Sequence, residues 1–71
     1  MDKALCRSLL PLVNEHEQMG RLEAYAAARI EMLRDLLEKQ KDPQRILEIQ
    51  GAVAELRRIK TLRDEVRKGS E

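Results

Sequence analysis

The triplet Asp42-Pro43-Gln44, in the stretch LLEKQKDPQRILEIQ, constrains this chain more than any other feature. Aspartate is a good N-cap, because its carboxylate accepts from the free N–H groups of a starting helix. Proline one residue later sits where a missing N–H costs nothing and the fixed φ suits the helix. Leu33, Leu36 and Leu37 close one apolar pattern before the triplet, and Ile46, Ile49 and Val53 open another after it. A helix therefore stops near Lys39 and a second begins at Pro43. Connections this short join antiparallel neighbours. The expected unit is a helical hairpin.

Its first arm is residues 21–40, RLEAYAAARIEMLRDLLEKQ, which lacks Pro and Gly and is rich in strong helix formers. Leu22, Ala26, Arg29 or Ile30, Leu33 and Leu37 make its stripe, widened by Leu36. The pairs Glu17–Arg21 and Arg34–Glu38 are spaced to support the solvent side. The second arm is residues 43–67, roughly 25 residues or about 37 Å if continuous. Its main stripe is Ile46, Ile49, Val53, Leu56, Ile59 and Val66, while Leu47, Gly51, Ala54 and Leu62 trace a second, shallower one. A helix that is apolar on two sides touches two neighbours. One is the first arm; the other could be a second chain. Gly51 is either a propensity defect or a point of close helix contact. Residues 68–71, Lys-Gly-Ser-Glu, read as a stop and a frayed tail.

Residues 1–20 are ambiguous. Leu5, Leu9, Leu12, Val13, His16 and Met19 share one helical side. Pro11 complicates that side, since it removes a hydrogen bond and disfavours helical geometry at Leu10. Either Ser8 caps a helix with Pro11 in its first turn, or one short helix precedes Pro11 and another follows. Gly20 offers a second break or a costly interior residue. A shorter N-terminal helix bent at Pro11 or Gly20 is expected.

With 71 residues and one aromatic, Tyr25, the chain must build an aliphatic core near the lower size limit for a single domain. Such a chain is expected to complete its core with another copy or another protein. Its 38% charged content fits long solvated helices. The net charge of +1 gives no global reason to seek nucleic acid or an anionic membrane. No apolar run approaches a membrane span, and the N-terminus is too mixed for a secretory signal. An intracellular protein with no membrane contact is expected.

Chemistry is sparse. Catalysis needs groups that titrate or attack near neutral pH, held in a pocket. His16, the single histidine, falls on the rim of the apolar stripe, and the single cysteine, Cys6, reads as a small core residue. The carboxylates Glu31, Asp35 and Glu38 alternate with Arg34 as a solvated side does. No Gly-rich phosphate loop, HExxH or EF-hand pattern occurs, so no enzyme activity, cofactor or metal is expected. The one charge cluster is Arg57-Arg58-Ile59-Lys60-Thr61-Leu62-Arg63, four cations without an acid. Arg57 and Lys60 share a side, as do Lys60 and Arg63, so these three could follow a phosphate backbone, with Arg58 beside them as a further possible contact. Asp64 and Glu65 follow at once, however, with Lys60–Asp64 and Asp64–Lys68 at ion-pair spacing, and no aromatic is near to stack on bases.

The arm 21-RLEAYAAARIEMLRDLLE-38, then Asp42-Pro43, then 49-IQGAVAELRRIKTL-62, resembles small helical-hairpin proteins of tailed bacteriophages and prophages. Arg29-Ile30-Glu31, Gln50-Gly51 and Glu55-Leu56-Arg57-Arg58 carry the likeness, which covers residues 21–62. It implies an assembly factor or minor virion component and transfers no functional residue. The expectation is therefore an all-α protein, an antiparallel helical hairpin with a shorter N-terminal helix, completed by oligomerisation. Leu33, Leu37, Ile46, Ile49, Val53 and Leu56 are the expected contact residues for identical chains or a larger structural partner. The alternatives are a small dimeric nucleic-acid-binding regulator using residues 57–63, and a helical adaptor or inhibitor filling a groove on a host protein.

Overall fold

The first helix starts one residue after Asp2, whose carboxylate accepts from the Leu5 N–H at 2.7 Å and so satisfies one of the free donors of the first turn. The structure, a computed structural model, describes all 71 residues as four helices and no strand: α1 Lys3–Val13, α2 His16–Lys39, α3 Pro43–Lys60 and α4 Leu62–Gly69. Ser8 is not the cap that the sequence offered. It lies inside α1, where its hydroxyl donates to the Leu5 carbonyl at 2.7 Å. Pro11 also lies inside α1 and does not end it. It is exposed and close to the C-terminus of the helix, so one interior hydrogen bond is lost where few remain to be made.

The break comes instead at Asn14-Glu15. The Asn14 N–H donates to the Leu10 carbonyl at 3.0 Å and closes α1. Glu15 then leaves helical geometry, and its carboxylate accepts from the Glu17 and Gln18 N–H groups at 3.3 and 3.0 Å. Gly20 lies within α2 and makes no break, so the bend expected at Pro11 or Gly20 is corrected to this cap. The first hairpin arm therefore begins at His16 rather than at residue 21.

The hairpin itself forms as its turn requires. Asp42 accepts from the Gln44 N–H at 3.0 Å with Pro43 opening α3, and the Gln40 side-chain carbonyl accepts from the Lys41 and Asp42 N–H groups. α2 packs along α3, and Ala26, Ile30 and Val53 are buried on facing sides. Leu33, Leu37, Ile46, Ile49 and Leu56 fall on the same sides and are half-buried.

The second arm is not one helix to residue 67. It breaks at Thr61, whose φ of −98° and ψ of 1° lie outside the α region. Thr61 is β-branched, and its hydroxyl can satisfy local groups in place of the helical ladder. That single proton reaches either the Arg58 carbonyl at 3.0 Å or Glu65 Oε1 at 2.9 Å. The bend brings α4 against α1, the second extensive packing in the molecule. There Cys6, Val13, Met19 and Val66 form a fully buried cluster, with Leu9, Leu10, Leu22 and Leu62 packed around it. Gly69 ends α4 on this cluster rather than opening a frayed tail: a Cβ built on it would lie 2.5 Å from Cys6 Sγ.

The Cα atoms span 44 × 25 × 12 Å. α2 and α3 form a two-helix shaft, while α1 and α4 pack chiefly on each other and touch the shaft little. The radius of gyration, 14.8 Å, exceeds the about 11 Å of a compact domain of this length. The accessible surface is 5350 Å², roughly 800 Å² more than a compact monomer of this mass exposes.

Candidate interaction surface

On α2, Arg34 and Leu36 point about 200° apart, and each lines a groove against α3. The first groove, about 180 Å³, is lined by Arg34, Leu37, Gln50, Val53 and Arg57. The second, also about 180 Å³, is lined by Leu36, Gln40, Arg45, Glu48 and Ile49. The two grooves therefore lie on opposite broad sides of the hairpin, here the Arg57 side and the Leu36 side.

The two sides differ in chemistry. Stepping from Leu36 by four and three residues gives Met32, Arg29, Tyr25 and Leu22 along α2. Stepping from Ile49 by three and four gives Ala52, Leu56 and Ile59 along α3. Tyr25, Met32 and Leu36 are 59%, 56% and 55% exposed. The Arg57 side carries Arg34, Gln50 and Arg57 at its groove, with Arg34 paired to Glu31 at 3.0 Å. Leu47, 63% exposed, with Gly51 and Ala54 occupies the outer edge of α3. A Cβ on Gly51 would meet nothing within 4 Å, so no helix of this chain approaches it closely.

The residues expected to hold copies together sit mostly elsewhere than on an open side. Val53 is buried, and Leu33, Leu37, Ile46, Ile49 and Leu56 are half-buried along the α2–α3 seam. They close the hairpin on itself. Only Ile49 and Leu56 also border the Leu36 side. The exposed apolar side chains Tyr25 and Met32 were missed, although their 22-25-29-32-36 spacing is visible once the inner stripe is known.

The basic stretch is divided by the Thr61 bend. Arg57, Arg58 and Lys60 end α3, whereas Arg63 belongs to α4. Arg63 Nε donates to the Val13 carbonyl at 3.3 Å, the position where a cation satisfies a free carbonyl at a helix C-terminus. Arg67 grips Asn14 Oδ1 through Nε at 3.0 Å and Nη2 at 2.8 Å. Arg58 approaches Glu55 at 3.8 Å. Arg57 and Lys60 remain as the unengaged cations of the stretch. Of the expected ion pairs, Lys60–Asp64, Asp64–Lys68 and Arg34–Glu38 do not form. The Glu17–Arg21 pair does, at 2.8 Å.

Cys6 is a buried free thiol against Gly69, and His16 is exposed at the start of α2. No three His, Cys, Asp or Glu side chains converge on a point that could hold a metal ion. A third depression, about 220 Å³, is lined by Met1, Glu55, Arg58, Ile59, Leu62 and Glu65. No helix is long and apolar enough to cross a membrane. Comparison of the chain with family models, with curated proteins and with solved structures finds no match.

Proposed function

We propose that this chain is a non-enzymatic helical interaction protein that works by associating with copies of itself. The observation that carries the reading is the two-helix shaft, which α1 and α4 leave open along most of its length. Only seven residues are buried, and both broad sides of the hairpin meet solvent. Burial of apolar surface is the main source of association free energy, and Tyr25, Met32, Leu36 and Leu47 hold such surface in reserve. The resemblance to small hairpin proteins of tailed phages suggests the setting, that of an assembly factor or minor virion component.

Light scattering coupled to size exclusion, at low and high salt, tests this. A defined oligomer whose mass does not fall with salt is expected, because apolar burial is not screened. A monomer in both conditions would remove self-association as the mechanism. The alternative nucleic-acid role would rest on Arg57 and Lys60, and would appear as binding to duplex or single-stranded DNA that weakens steeply with salt.

A further inference from the structure

The self-association reading leaves open which surface is used, and the following rests on that reading. We propose that a second copy docks on the Leu36 side, so that two hairpins close into a four-helix bundle with α2 of each chain lying on α3 of the other.

Four observations support this, the third of them a property of the whole chain. First, Leu22, Tyr25, Arg29, Met32 and Leu36 step by 3, 4, 3 and 4, the spacing of a helix seam that meets another helix. Ile49, Ala52, Leu56 and Ile59 on α3 step by 3, 4 and 3. Two parallel seams on one side of a hairpin are what a four-helix bundle requires. Second, three of the large apolar side chains that are more than half exposed, Tyr25, Met32 and Leu36, lie on this one side. Third, the surplus of roughly 800 Å² over a compact monomer matches the share each partner buries in a standard stable interface. The α2 seam is about 20 Å long, enough to supply that area across two helices.

The fourth observation is charge, and it selects a second copy as the occupant and sets the arrangement. By helical spacing, the Leu36 side of α2 between residues 18 and 40 holds the cations Arg21, Arg29 and Lys39, while Glu31, Asp35 and Glu38 point to the other side. The matching margin of α3 holds Glu48 and Glu55 with one cation, Arg45, which approaches Glu48 at 3.7 Å. The α2 margin is thus net positive and the α3 margin net negative, and the two arms of one chain carry margins of opposite sign. A twofold axis parallel to the helices lays α2 on the α3 of the second copy and sets these margins together. An axis across the helices would instead lay α2 on α2, centred near Arg29, with like charges opposed. Arg29 has no acidic partner within its own chain and would find acids across this contact.

The test is the mass and dissociation constant of Met32→Glu beside Leu47→Glu, with helix content followed by circular dichroism. Met32 is exposed in the single chain, so its hairpin does not need it. Met32→Glu is expected to weaken the dimer by about a hundredfold, while Leu47→Glu on the opposite edge leaves it intact. A wild-type monomer overturns both this proposal and the self-association reading. A dimer that persists in Met32→Glu overturns the choice of side alone. Should Met32→Glu lose its helix content together with its dimer, the charge pair decides. Arg29→Glu is expected to weaken the dimer and Arg29→Glu with Glu55→Arg to restore it; a double variant no tighter than the single one overturns the arrangement.

Discussion

At the α1–α4 end, Cys6, Val13, Met19 and Val66 are 1% exposed or less, whereas the much longer α2–α3 shaft buries only Ala26, Ile30 and Val53. The difference is geometric. Two helices lying side by side cover one line of residues each, and everything beside that line still faces water. At the other end three helices converge, because α2 contributes Met19 and Leu22 to the packing between α1 and α4. Side chains there are covered from several directions and reach full burial. The folded chain thus has a closed end and an open shaft, and the open shaft is the part with surface left to offer.

This contrast can be broken most severely at Val66. A carboxylate placed there by Val66→Asp would be buried without a partner, and a loss of about 3–5 kcal/mol is expected. For a domain this small, that undocks α1 and α4 and lowers the thermal midpoint sharply. The matched change in the shaft, Leu47→Asp, is expected to shift stability by less than about 0.5 kcal/mol. Comparable losses at both positions would mean that the two regions are not distinct.

Gly69 offers a finer probe of the closed end. Its added methyl in Gly69→Ala would press on Cys6 Sγ, for an expected cost of about 1–3 kcal/mol in urea denaturation. Cys6→Ala removes the sulfur and should cancel part of that cost, so the double variant is expected to be more stable than additivity allows. Additive effects would show that Gly69 does not pack there. In the shaft, Asp42→Ala removes the cap on α3 and is expected to cost about 1 kcal/mol. The smallest effect is a gain. Gly51→Ala meets no neighbour and should stabilise by up to about 1 kcal/mol through helix propensity alone. A loss at Gly51, growing with protein concentration, would place a second copy on the outer edge of α3 instead.

The two regions also differ in how far they could be read from sequence. The hairpin was legible because its signals are local: Asp42-Pro43 is a complete helix start, and residues 21–40 contain no breaker. The closed end was not, because it depends on pairs some fifty residues apart, such as Val13–Arg63 and Asn14–Arg67. Pro11 looked like a break but sits where α1 is already finishing, and Thr61 looked continuous with its neighbours although its hydroxyl competes for the ladder. Arg63 read as a surface cation because its partner, the Val13 carbonyl, is a backbone group that no side-chain pattern reveals. The apolar stripe on the Leu36 side was half visible. Leu36 was recognised as widening the inner stripe, but Tyr25 and Met32 could be assigned to an open side only once α3 was known to occupy the other.

Hydrogen exchange resolved by residue, at low and high protein concentration, tests the central claim most directly: a closed end that is complete within one chain and a shaft completed by a second. Amides of α1, α4 and the Met19–Leu22 turn of α2 are expected to show protection that does not change with concentration. Those between Leu22 and Leu36 and between Ile49 and Ile59 should gain protection as concentration rises. Equal protection in both regions at every concentration would contradict the account.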